Sequence, residues 1–179
     1  MTVTIAKGGP LAVPLDDFKA YLKIGLGEED ETLVDLIRTA SEAIERFIGG
    51  LVIIRAIDEV LSARSGWQKL AVRPVRSVTG LVGIPAEGAE FALPVESYAI
   101  DIDAGGTGWL RILNPGSAGR VRVTYAAGTA DDDGGVSDAI QHGILRLAGE
   151  LHARREGLEM DMPVSVAALL RPWRRMALS

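Results

Sequence analysis

Cysteine is absent from the 179 residues, which excludes disulfides, thiolate metal sites and a cysteine nucleophile. Histidine is scarce, with only His142 and His152. Ten residues apart on one helical pattern, they point about 80° away from each other and cannot act as a His-x-x-x-His metal pair. His152 has Glu156 four residues on, an ordinary helix-surface spacing. Lysine occurs only at Lys7, Lys19, Lys23 and Lys69, and the net charge of -5 with a pI near 5.1 argues against a nucleic-acid binder with a broad basic face. No stretch nears the roughly 18 consecutive apolar residues of a membrane span. The N-terminus lacks a charged start followed by an apolar run and a small-residue cleavage site, so neither a membrane segment nor secretion by the general route is expected.

The familiar chemical motifs are missing as well. No G-x-x-x-x-G-K-[ST] or G-x-G-x-x-G lies between a strand and a helix. Asp101-Ile102-Asp103-Ala104-Gly105 begins like a calcium loop, but its third ligand position is a glycine and the closing glutamate is missing, so a strand entering a glycine turn is the plainer reading. Asp131-Asp132-Asp133 has no complementary ligands in view and reads as a solvated loop before a helix. The serines have no nucleophile-elbow context. No catalytic residue, metal ligand or cofactor site is expected, and the sequence gives no support for an enzyme.

What is present is a helical stripe. From Asp30 to Ile48, Leu33, Ile37, Ala40, Ile44 and Phe47 recur in steps of four and three, with Glu31, Asp35, Arg38, Glu42, Glu45 and Arg46 assigned to the other side. Acidic residues crowd its start and Gly49-Gly50 its end, as a helix dipole and a left-handed stop require. A shorter helix opens after Pro14, with Leu15, Phe18, Tyr21 and Leu22 as its apolar side, and runs to about Ile24, where Gly25 and Gly27 punctuate the turn. Ser137 and Asp138 are read as the cap of a third helix reaching about Glu156, striped by Ile140, Ile144, Leu147 and Leu151. Its Gly143, Ala148 and Gly149 would let another backbone come close.

Between these helices the pattern changes to β. Tyr98, Ile100 and Ile102 alternate with Ala99, Asp101 and Asp103, and Val121, Val123 and Tyr125 with Arg120, Arg122 and Thr124, which predicts two half-buried strands. With Trp109 to Leu113 between them, after the Gly105-Gly106 turn and before Asn114-Pro115-Gly116, they read as a three-stranded antiparallel meander. Val52 to Leu61 and Leu70 to Ile84 add strands. The predicted fold class is α+β: a single domain over 1–179 whose small helical bundle comes from both chain ends (14–50 and 137–176), with an inserted antiparallel β meander (51–128) and an N-terminal arm (1–13) ordered by a partner.

After Pro163 a short helix, Val164 to Arg171, leads to a cluster of Arg171, Trp173, Arg174, Arg175 and Met176. Tryptophan beside guanidinium groups is a composition enriched at interface hot spots. The alternative is that Trp173 folds back onto the helical core and leaves the arginines in water. Trp67 and Trp109 would be the stacking platforms of a competing reading, a ligand- or carbohydrate-binding module using the β segment, although tryptophans in strands are more often core.

In the order of these segments the chain resembles the head-tail connector, or adaptor, proteins of long-tailed bacteriophages and gene transfer agents. The resemblance is carried by Leu15 to Ile24, Asp30 to Phe47, Val121 to Gly128, Ala139 to Glu156 and Pro163 to Arg175. It departs from the family at Val136-Ser137-Asp138, where a proline is common, and at His152 and Trp173, which replace frequent tyrosines. The resemblance implies a non-enzymatic structural protein of the head-tail joint of a virion or gene transfer agent particle, assembled in the host bacterial cytoplasm. Copies would form a dodecameric ring between the portal protein and the stopper or tail-completion protein, with DNA passing through the lumen without specific binding. Docking on the portal would then fall to the Arg171–Met176 cluster, and the acidic balance would suit a lumen that DNA slides past.

Overall fold

The computed structural model describes residues 2–25, 29–154 and 162–174, and they form two compact units. The helical unit comprises Gly9–Ile53 and the chain from Thr129 onward; the β unit comprises the chain up to Gly8 and Ile54–Gly128. Among the described residues there are four α-helices and eight strands, and the strands pair antiparallel, so the fold is α+β.

The helical unit holds α1 (Leu15–Leu22), α2 (Asp30–Ile48), α3 (Asp138–Ala153) and α4 (Val164–Leu170). The α2 stripe lies where its period puts it: Leu33, Ile37, Ala40 and Ile44 are buried among Ile140, Ile144 and Leu147 of α3. Side chains of this size contribute roughly 1.5 to 3 kcal/mol each when fully buried. The helix stops at Gly49, which takes the left-handed conformation (φ 74°, ψ 37°) and returns its N–H to the Glu45 carbonyl at 2.9 Å.

Glu45 departs from its expected outward position. It is buried, and its Oε1 accepts from the Val52 N–H at 2.8 Å, fastening the chain that leaves α2. The left-handed stop of α1 also differs: it falls on Lys23 (φ 58°), two residues before Gly25. Ser137 occupies the position before α3 but makes no side-chain cap; its carbonyl accepts from Ile140 and Gln141. Gly143 and Gly149 make room for neighbouring side chains, and the atoms nearest them belong to no other backbone. A Cβ on Gly143 would lie 3.3 Å from Leu170 and 3.5 Å from Ile44, and one on Gly149 would lie 2.9 Å from Tyr21.

The β unit contains two sheets. One has five strands, β1 (Thr2–Ile5), β2 (Arg55–Ser62), β8 (Ala118–Ala127), β4 (Val75–Pro85) and β5 (Phe91–Ala92), in that spatial order. The other orders β3 (Gln68–Lys69), β7 (Gly108–Ile112) and β6 (Tyr98–Ile102). The expected meander is therefore divided. Strand β7 pairs with β6 and β3, while β8 leaves after the Asn114–Gly116 turn to lie between β2 and β4. Ten residues long, with Val121, Val123, Tyr125 and Ala127 buried, β8 needs a long partner on each side, which the five-residue β7 cannot offer.

Two further expectations change. Residues 2–5, read as part of an arm ordered by a partner, pair with β2 along their whole length. In β6, Ile100 and Ile102 are exposed: the strand is an edge, and it is their partners in β7, Leu110 and Gly108, that are buried. No helix among the described residues is long and apolar enough to cross a membrane.

Candidate functional site

The tail cluster is built on α4. Its sequence, VSVAALL, carries no charge, and Val166 and Leu170 are buried, with Leu170 packed over Gly143 of α3. The other side faces out, with Val164 86% exposed and Ser165 and Ala168 also exposed. A helix that is apolar on both sides is normally covered on both. Pro172 follows Arg171 in a single 3₁₀ turn, Arg171–Trp173, which presents Arg171 and Pro172 to solvent and leaves Trp173 37% exposed.

Arg174 is the member that folds back. Its guanidinium lies 5.2 Å from the centre of the Phe47 ring at the end of α2, a cation–π distance. Of the two sequence readings, an exposed interface cluster and a Trp173 folded onto the core with the arginines in water, neither foresaw that Arg174 would be the anchored member; the structure brings Arg171, Trp173 and Arg174 to one turn with Trp173 part-exposed. Arg175 and Met176 lie outside the described residues.

The tryptophans of the competing reading are both in the β unit. Lys69 pairs with Trp109 and Asp101 pairs with it from the other side, so the half-buried indole lies in a row between opposite charges. Trp67, just before β3, is 47% exposed. Around the loop that carries it the register assembles residues from three distant stretches. Ala63 N–H donates to the Gly119 carbonyl at 3.1 Å, Ser62 pairs with Arg120, and Arg111 Nε donates to the Ser65 carbonyl at 2.9 Å. Arg64, Lys69, Arg111 and Arg120, all exposed, therefore lie on or beside the loop that carries Trp67. Sequence reasoning missed this grouping because no short window contains it; the available signal was the run Arg64 to Lys69.

The acidic segments weighed as cation sites serve the backbone. Asp103 Oδ1 accepts from Gly105 N at 2.8 Å and Thr107 N at 2.9 Å, and the Thr107 bond above all holds this carboxyl below its usual range. Asp132 accepts from Gly135 N at 3.3 Å ahead of α3. His142 is exposed, and His152 Nε2 lies 3.9 Å from Glu29; Glu156, its neighbour by spacing, lies outside the described residues. Among the described residues no group of histidines and acids is placed to hold a metal ion.

No protein-family model matches the sequence, and no curated protein does. Solved structures are informative. A chain from the neck of an empty gene transfer agent particle, computed with C6 symmetry, matches 100% of this chain and 98% of its own length, with a TM-score of 0.80 and 25% identity. This chain is similar along its whole length to a gene transfer agent neck component. A chain from the virion of the native gene transfer agent particle covers the same shares at a TM-score of 0.76 and 26% identity. A chain from the native particle's neck, computed with C12 symmetry, gives 0.80 at 24% identity, a likeness of fold. The likeness to neck and virion components agrees with the adaptor resemblance carried by the order of segments.

Proposed function

We propose that this chain is a structural subunit of the head-tail joint of a tailed phage or gene transfer agent particle. Copies form a ring beneath the portal, join it to the stopper or tail-completion protein, and leave a central passage for DNA. The observation that carries this reading is the match to a neck component over 100% of this chain and 98% of the other at a TM-score of 0.80. The neck structures whose chains it matches are computed with six- and twelvefold symmetry, which supports a ring of repeated copies.

In such a ring the helical core, 14–50 with 137–176, contributes contacts between neighbours, and the tail docks on the portal through Arg171, Trp173 and Arg174, continued in sequence by Arg175 and Met176. The uncovered side of α4 and the part-exposed Trp173 supply the apolar area, and the arginines add charge-assisted bonds at its rim. The net charge of -5 suits DNA that slides past without being gripped.

Replacing Trp173 with Ala tests the docking assignment. Portal affinity should fall by about 2 kcal/mol or more, measured by titration calorimetry, while the circular dichroism melt stays within a few degrees of wild type. Undiminished portal binding would remove the tail from the assignment. Locating an epitope-tagged chain on particles by immunogold labelling tests the broader reading: gold at the head-tail junction supports it, and gold on the capsid shell or tail tip rejects it.

A further inference from the structure

The two units of this chain carry opposite net charge. The β unit has nine basic and seven acidic residues, a net of +2, and the helical unit ten basic and seventeen acidic, a net of -7, which together give the chain's -5. Four of the nine basic residues of the β unit, Arg64, Lys69, Arg111 and Arg120, are exposed on or beside the loop that carries the exposed indole of Trp67. On the helical unit, Asp16 and Asp17 of α1 and Glu31 and Asp35 of α2 are exposed.

A closed ring repeats one heterologous contact, so two unlike faces of the same chain must be complementary. Opposite charge on two faces is the simplest way to make them so, because it steers a face toward its complement and away from itself. A large exposed aromatic on a loop that also gathers arginine and lysine is the composition of an interface hot spot. Duplex DNA would be served by the cations alone and would leave Trp67 in water.

We propose that the Trp67 loop of the β unit seats on the acidic surface of α1 and α2 of a second copy of this chain. Each subunit then offers its β unit to one neighbour and its helical unit to the other. This inference rests on the ring reading given above and refines it by naming both sides of the repeated contact.

Charge reversal with second-site restoration tests it in assembled particles. In a strain carrying Arg64→Glu with Lys69→Glu, copies of the chain per particle, counted by quantitative mass spectrometry, should fall at least tenfold, while the purified variant keeps its circular dichroism spectrum. Adding Asp16→Lys with Asp17→Lys, or Glu31→Lys with Asp35→Lys, in the same chain should bring the count back to within threefold of wild type. Trp67→Ala should lower the count without any charge change.

Wild-type counts for the double reversal, on particles where the chain still forms a ring, would overturn the contact and leave the ring reading standing. Loss that neither second-site pair restores, together with duplex DNA retardation by the wild-type chain that the double reversal abolishes, would replace the second copy with nucleic acid. Absence of the wild-type chain from the neck would remove the ring reading, and this inference with it.

Discussion

Tyr125 shows how closely the β unit is fitted at the level of single atoms. Its side chain is fully buried, its hydroxyl donates to Glu59 Oε2 at 2.8 Å, and it accepts from the Val72 N–H at 3.2 Å. Glu59 Oε2 also accepts from Ala71 N at 2.9 Å, so a tyrosine and a buried glutamate together hold the chain entering β4. Burial, followed by the bond to Glu59, raises the Tyr125 pKa well above the usual value of about 10. The folded protein keeps this proton where the unfolded chain has lost it. The resulting stability is whole below about pH 10 and declines as pH rises beyond it. Urea denaturation from pH 8 to 11 should show that decline, and Tyr125→Phe should lessen it; equal pH dependence in the two proteins would contradict the assignment. At neutral pH the same variant should be less stable by about 1 to 3 kcal/mol, since the Val72 N–H and Glu59 each lose a partner. Gly106 is the other exacting position. At φ 74° a Cβ there would stand 2.5 Å from Pro74 Cβ, so Gly106→Ala should cost about 1 to 3 kcal/mol in the same assay. The burial of Glu59 was legible only after its strand was known, because alternation with Ile57 and Leu61 puts it on the inner face.

Among the elements, α2 and α3 were legible because each announces itself within its own window. The α2 bounds, Asp30 and Ile48, match the period and the glycine stop, and the α3 stripe faces that of α2. The β unit was only partly legible. Strands β3 and β5 have two residues each, too few for alternation to register. Strand β4 shifts register at Val75/Ser77, Val78/Gly80 and Ile84/Pro85, which breaks the period. The turn at Asn114–Gly116 has the expected chemistry, with Asn114 Oδ1 accepting from Gly116 N at 3.2 Å, yet it joins strands of different sheets. Turn residues report a change of direction and do not specify which strand the chain meets next. Of the tail, residue types in one short window pointed to the Arg171–Arg174 turn, while the cationic surface beside Trp67 depends on pairings 46 to 58 residues apart and could not be read in advance. The packing of α4 gives a direct test at this scale. Leu170→Ala removes a fully buried side chain between α4 and Gly143 and should cost about 2 to 5 kcal/mol, with amide exchange in α4 accelerating before that in α2. Uniform acceleration across the helical unit would mean that α4 does not open separately.

At the scale of the whole molecule, the features that matter are distributed. The chain offers an anchored tail with an uncovered apolar side, a cationic surface beside Trp67, and an acidic helical unit, as expected of a subunit that meets several neighbours at once. The full-length similarity to a chain from the neck of a gene transfer agent particle supports reading these surfaces as contacts within a particle. Electron microscopy of particles from a strain lacking this gene tests the central claim most directly. The expected result is DNA-filled or leaking heads accumulating beside detached, complete tails, with normal particles restored when the gene is supplied in trans. Normal tailed particles, or no particle phenotype at all, would contradict a role at the head-tail joint.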